Sequence, residues 1–163
     1  MHKTDVLILG CGIAGATAAL RLAENPARKI TILTREFDSL ESNTRYAQGG
    51  IIGRGPDDSA AILAGDILAA GAGAASPDAA NILAEEGPGI LEDYLVRKAG
   101  IHFDSREDGG PEYGIEAAHS CRRILHVGDG TGQAIIEGLL KAIRQKQNIT
   151  LLTGVTTVDL ITF

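Results

Sequence analysis

The segment that most constrains this chain is Gly10-Cys11-Gly12-Ile13-Ala14-Gly15, which follows the apolar run Asp5-Val6-Leu7-Ile8-Leu9 directly. A G-x-G-x-x-G alone says little. Here it closes a short β-like run and opens an alanine-rich, helix-favouring stretch from Ala14 to Glu24. A second β-like run, Lys29-Ile30-Thr31-Ile32-Leu33-Thr34, follows at the distance a βαβ unit requires. The first glycine allows a tight turn. The second lets backbone approach a pyrophosphate, and the third lets helix and strand pack closely. The helix N-terminus then offers free N–H groups to phosphates. This order predicts a dinucleotide site for FAD, NAD or NADP.

With 163 residues and 44% hydrophobic content, the chain is long and apolar enough for one domain with a core. A net charge of −6, with no basic run, argues against a nucleic-acid partner. The two cysteines, Cys11 and Cys121, have no metal-ligand spacing and make no disulfide framework. A reducing cytoplasm is the simplest setting, with no metal site expected. Asp5 breaks the first apolar run, so no signal peptide is read. The stretch Ala60 to Ala75 is mostly Ala and Gly and contains Asp66, a poor membrane span.

The hydrophobic pattern predicts a strand over 4–9, a helix over 13–24 and a strand over 29–34. A long loop from about 37 to 56 comes next. Asp57 and Asp58 are expected to begin a helix that runs to about Gly71. Ser76-Pro77-Asp78 reads as a helix start, with Ser76 at N-cap and Pro77 at N1. Gly87-Pro88-Gly89 is expected to interrupt that helix, and Ile90 to Lys98 to resume it before a stop at Ala99-Gly100. Residues 104–118 read as a polar loop and Arg122 to Val127 as a short extended piece. Asp129-Gly130-Thr131-Gly132 then starts a helix ending near Gln147, with Asp129 and Thr131 read as its caps. Residues 150–155 and 156–163 both look like strands, and the sequence stops inside the second, so it reads as part of a longer gene product. Strands alternating with helices predict an α/β fold with a central parallel sheet flanked by helices.

The strand end leaves the dinucleotide open. NAD sites place an acid about 20 residues after the motif, on the ribose hydroxyls. Here Thr34 stands in that position, Arg35 follows, and Glu36 comes two places late. Arg35 suits a 2′-phosphate, which keeps NADP in play. The loop that follows carries Asn43-Thr44-Arg45-Tyr46-Ala47-Gln48-Gly49-Gly50. Its paired glycines permit close backbone approach, and its small polar side chains suit a pyrophosphate or ring nitrogens.

That loop, with Ser42 before it, resembles the S-x-x-x-x-A-Q-G-G segment of the succinate dehydrogenase/fumarate reductase flavoprotein family. Glu116-Ala117-Ala118-His119-Ser120-Cys121-Arg122-Arg123-Ile124-Leu125-His126, followed by Asp129-Gly130-Thr131-Gly132, is similar to the E-G-G-H-S-x-x-R-I-x-H…D-x-T-G stretch of the L-aspartate oxidase branch. The resemblance implies a Rossmann-like FAD-binding domain, of which residues 1–163 form the N-terminal part. It resolves the cofactor in favour of FAD. The respiratory members attach FAD through a histidine, whose position here is Asn43. An amide cannot form that bond, so the resemblance implies non-covalent FAD. Alanines also replace the two glycines after Glu116, which is expected to tighten that loop.

The same resemblance assigns roles. Gly10, Gly12, Ile13, Ala14 and Gly15 are expected at the pyrophosphate, and Thr34 and Arg35 near the adenosine ribose. Asn43, Thr44, Arg45, Tyr46, Ala47, Gln48, Gly49 and Gly50 wrap the pyrophosphate, ribityl chain and isoalloxazine, and Thr157 lies near the adenine. Glu116 is the implied active-site acid, while His119, Arg123 and His126 are expected to fix its loop. The implied reaction is oxidation of L-aspartate to iminoaspartate, with oxygen or fumarate as acceptor. Its product feeds quinolinate and NAD synthesis, with quinolinate synthase as the implied partner. A soluble fumarate reductase-like flavoprotein and a non-catalytic dinucleotide-binding module are the alternatives. The later capping domain and second FAD segment supply the substrate's cationic ligands in the family, so the chain alone is expected to be inactive.

Overall fold

A computed structural model describes residues 3–161. Strand β1 (Val6–Leu9) leads through helix α1 (Ile13–Leu22) to strand β2 (Ile30–Leu33), as the glycine motif requires. Strand β5 (Ile149–Leu152) arrives from helix α4 (Thr131–Arg144) and lies on the far side of β2. The sheet order is β1-β2-β5, all parallel, with Ile8 beside Ile32 and Ile32 beside Leu151. Strand β1 therefore stands at the edge of this sheet among the described residues, with Leu7 and Leu9 half exposed. Two short strands, β3 (Ile51–Ile52) and β4 (Ile124–Leu125), pair antiparallel in a separate ribbon.

The main core lies between α1, α4 and the sheet. Ala16, Ala19 and Leu20 of α1 meet Ile136, Leu139, Leu140 and Ile143 of α4, with Ile30 and Ile32 of β2 beneath them. Each large aliphatic side chain so buried contributes about 1.5–3 kcal/mol. Small alanines on α1 let the helices close on each other. The amide of Asn148 ties the entry of β5 to the α1–β2 turn by donating to the carbonyls of Ala23, Asn25 and Arg28. A smaller cluster of Leu63, Ala64 and Ala84 joins helix α2 (Ala60–Ala70) to helix α3 (Pro77–Ile90).

Several expectations change. Gly87-Pro88-Gly89 does not interrupt the helix. Helix α3 runs through it to Ile90 and continues as a π-helical segment, Leu91–Lys98. Pro88 has no N–H for the carbonyl of Ala84, and the guanidinium of Arg54 donates to that oxygen instead at 2.5 Å. The proline's missing bond is thus replaced from outside the helix. Helix α2 begins after Ser59, whose hydroxyl accepts from the Ile62 N–H, and not at Asp57-Asp58. Asp129 caps nothing. Gly130 is the N-cap of α4 without a side-chain bond, and Thr131 lies inside the helix with its hydroxyl accepting from the Val127 N–H. Residues 156–161 form no strand, and 162–163 lie outside the described residues. Gly154, at φ +68°, turns the chain off the ladder after Leu152.

Candidate cofactor site

At the carboxyl end of the parallel strands a cleft of about 590 Å³ opens between the glycine turn, the end of β2 and the chain after β5. Gly10, Gly12, Thr34, Arg35, Asn43, Thr44 and Thr157 all line it. Gly10 holds φ +99°, the left-handed region that glycine adopts freely. Gly15 is pinned under the turn, since a Cβ there would come within 2.1 Å of the Gly10 carbonyl oxygen. The turn is also braced from the later loop. The Thr44 hydroxyl accepts from the Ile13 N–H at 3.0 Å, and the Cys11 thiol donates to the Ser39 carbonyl.

The strand end is held equally. Thr34 is buried, and its carbonyl accepts from the Val155 N–H, which carries residues 155–157 across the cleft rim. Arg35 and Glu36 pair at 2.8 Å in the open. The late acid is therefore engaged by the residue that kept NADP in play.

The walls suit a polar, phosphate-bearing ligand. The Ser42 hydroxyl oxygen is buried at the cleft without a hydrogen-bond partner. Gly12 leaves room above α1, whose N-terminus has no side-chain cap on its N-cap residue. Ser42 belongs to the quoted motif, but its side chain carried no separate signal. Glu41, Val155 and Thr156 also line the cleft, and only the fold brings them there.

The remaining predicted residues lie elsewhere. Ile13, Ala14 and Gly50 line a second, apolar groove of about 600 Å³ between α1 and α3, together with Pro88 and Leu91. Arg45 pairs with Glu41 and lies 5.9 Å over the Tyr46 ring. The Tyr46 hydroxyl donates to Glu41, a bond that raises the phenol above its ordinary pKa. The Ala47 carbonyl accepts from the Gly132 N–H. A Cβ on Gly132 would come within 2.0 Å of the Thr44 carbonyl oxygen, so α4 begins in contact with the loop. Gln48 and Gly49 are exposed.

Glu116 reaches the same loop from 66 residues later. Its Oε1 accepts from the Gly50 N–H at 3.1 Å and lies 3.9 Å from Nε2 of His126. Glu116 is half exposed. Its loop takes a sharp turn through Ala118, which holds φ +67°, and the His119 N–H closes that turn onto the Glu116 carbonyl.

Arg123 anchors this loop from within. Its side chain is fully buried, with Nη2 donating to Asp58 at 2.9 Å and to the Cys121 sulfur, and Nη1 donating to Asp66 at 2.6 Å. His119 Nδ1 lies 3.0 Å from Nη1. The Ser120 N–H also donates to Asp66, and this bond leads the interactions that hold that carboxyl below its ordinary pKa. Burial pushes the Cys121 thiol up, away from the reactive thiolate. Among the described residues no helix is long and apolar enough to cross a membrane.

Known proteins agree with this geometry. The chain is 41% identical over 150 residues to the L-aspartate oxidase of Agrobacterium fabrum, covering 91% of this chain and 28% of that protein. It is 41% identical over 159 residues to that of Halobacterium salinarum, covering 98% of this chain and 30% of that one. The chain thus spans less than a third of these relatives. Its fold matches the quinol-fumarate reductase chain of E. coli with a TM-score of 0.85 at 25% identity, over 92% of this chain and 26% of that one. The Sdh1 complex of Mycobacterium smegmatis gives 0.83 at 25% identity, over 94% of this chain and 28% of that one. Residues 5–162 match the model of the FAD binding domain. A strand, a pinned glycine turn and a polar cleft at the sheet's carboxyl end are what such a domain needs, and the chain belongs to the FAD binding domain family, with FAD as its cofactor.

Proposed function

We propose that this chain contributes the first part of the FAD site of an L-aspartate oxidase, which takes L-aspartate to iminoaspartate. FAD bound there supplies the two-electron acceptor. The observation that carries the reading is the bond from the Gly50 N–H to Glu116, which puts a carboxylate on the loop after the cleft. A module that only binds a dinucleotide has no use for an acid there.

In this reading Gly10, Gly12 and Gly15 form the turn beneath the pyrophosphate, with Ile13 and Ala14 in the helix start that follows. Thr34, Arg35 and Thr157 flank the adenosine end. Asn43, Thr44 and Ser42 line the cleft towards the flavin, and Arg45, Tyr46, Ala47, Gln48, Gly49 and Gly50 carry the loop onward. Asn43 has no ring nitrogen to link to the flavin, which supports non-covalent binding. Glu116 orients the substrate amine or takes its proton. The cations that hold the two substrate carboxylates come from sequence beyond these residues, as does the rest of the FAD site. Electrons leave to oxygen or fumarate, and the imine product suits quinolinate synthase as the next enzyme. The unpaired Cys11 and Cys121 fit a reducing cytoplasm.

The test uses the protein as its gene encodes it, loaded with FAD. Bleaching of the flavin by anaerobic L-aspartate, and not by succinate, is the expected result. Bleaching by succinate alone would give the fumarate reductase reading instead. The 163 residues by themselves are expected to bind FAD weakly and to release no peroxide with L-aspartate. Sub-micromolar FAD binding, or peroxide formation, would overturn the division of the site proposed here.

A further inference from the structure

His126 has a seat that two glycines clear for it. A Cβ on Gly50 would come within 2.6 Å of the imidazole Cε1, and one on Gly114 within 2.8 Å of Nε2. The two glycines belong to segments 64 residues apart, and both would collide with the ring if they carried a side chain. The backbone beneath the ring is fixed on both sides. The His126 carbonyl accepts from the Asp104 N–H at 2.8 Å, and the next N–H, of Val127, donates to Thr131.

From that seat Nε2 faces Oε1 of Glu116 at 3.9 Å, the same oxygen that accepts the Gly50 N–H. Other charges nearby are engaged elsewhere. Asp104 accepts from the Gly128 N–H, Arg122 donates to the Tyr113 carbonyl, and Arg123 is held by Asp58 and Asp66. Among the described residues, His126 is the group recorded within ion-pair distance of Glu116.

We infer that His126 is the positioning residue for Glu116. The firmly seated imidazole orients a half-exposed carboxylate that otherwise rests on one N–H. Oε1 is thereby committed to the Gly50 loop and the ring, which leaves Oε2 for the substrate. This inference rests on the reading of Glu116 proposed above.

The test compares His126→Leu, His126→Gln, Glu116→Gln and the Glu116→Gln/His126→Leu pair in the full FAD-loaded protein. Hydrogen exchange at the Gly50 N–H, whose acceptor is Glu116 Oε1, is expected to quicken about tenfold in His126→Leu and by less in His126→Gln. His126→Leu is expected to lower kcat/KM for L-aspartate about tenfold when Glu116 is present, and under about twofold in the Glu116→Gln background. FAD affinity should not change in either. His126→Gln keeps the seat filled with a polar side chain and separates loss of the ring from collapse of the loop. Unchanged Gly50 exchange in His126→Leu, or equal kinetic losses in both backgrounds, would overturn the inference. If the unaltered protein does not oxidise L-aspartate, the proposed reaction fails, while the Gly50 exchange still decides whether His126 holds Glu116 in place.

Discussion

Arg123 Nη1 stands 2.6 Å from Asp66 Oδ2, and this contact fastens helix α2 to a loop 57 residues further on. The arginine is sealed from solvent, and Asp58, from the chain before α2, accepts from its Nη2 at 2.9 Å. Breaking such a pair leaves an uncompensated buried charge, which costs about 3–5 kcal/mol. Arg123→Leu is therefore expected to destabilise the chain by about that amount in urea unfolding. A loss below about 1 kcal/mol would show that the two aspartates find water instead.

Ala118 holds a left-handed backbone that an alanine adopts at a cost of about 1–2 kcal/mol. Ala118→Gly removes that strain but adds freedom to the unfolded chain. The expected net effect is a gain of about 0.5–1 kcal/mol, read from the thermal midpoint. A drop in stability would mean that the methyl makes contacts worth more than the strain.

Two motif glycines separate by what surrounds them. At Gly15 a Cβ meets backbone at 2.1 Å, whereas at Gly12 it meets the Thr44 hydroxyl at 3.2 Å. Gly15→Ala is expected to damage folding itself, by at least about 2 kcal/mol. Gly12→Ala is expected to cost under about 1 kcal/mol and to weaken FAD binding at least tenfold in the full protein, by blocking the phosphates. Equal FAD affinity in wild type and Gly12→Ala would move the pyrophosphate off this turn.

Glu24 takes hydrogen bonds from Lys98 and Tyr94, which lower its pKa from 4.5 to about 2. Its folded pKa is the depressed one, so its contribution is complete above pH 4.5 and fades as pH falls towards about 2. Urea midpoints measured between those limits should fall with acid more steeply in wild type than in Glu24→Gln. Parallel curves would show that the cluster at the end of α1 does not report on folding.

The strand, glycine turn and helix were legible because each residue there serves a local geometry. The apolar runs around Ile8 and Ile32 and the three glycines need no distant partner to be recognised. The course of α3 through Pro88 was not legible, because the group that makes the proline tolerable is Arg54, 30 residues upstream in the stabilising bond. Asp58 was misread as a helix start for the same reason, since its partner Arg123 lies 65 residues away. The resemblance implied an active-site role for Glu116, but its bond to Gly50 and the seat of His126 needed the fold, because residues far apart in sequence create them.

Among the described residues, strand β1 has one neighbour. Gly10 donates back to Leu33, and by strand alternation the N–H groups of Leu7 and Leu9 face away from β2. The glycine turn proposed to meet the phosphates therefore behaves mechanically as a beam clamped along a single side. Whatever comes to lie against β1, whether further sequence or another chain, would stiffen the turn without touching the ligand. Deuterium uptake at Leu7 and Leu9 is then a gauge of how rigidly the cofactor is gripped.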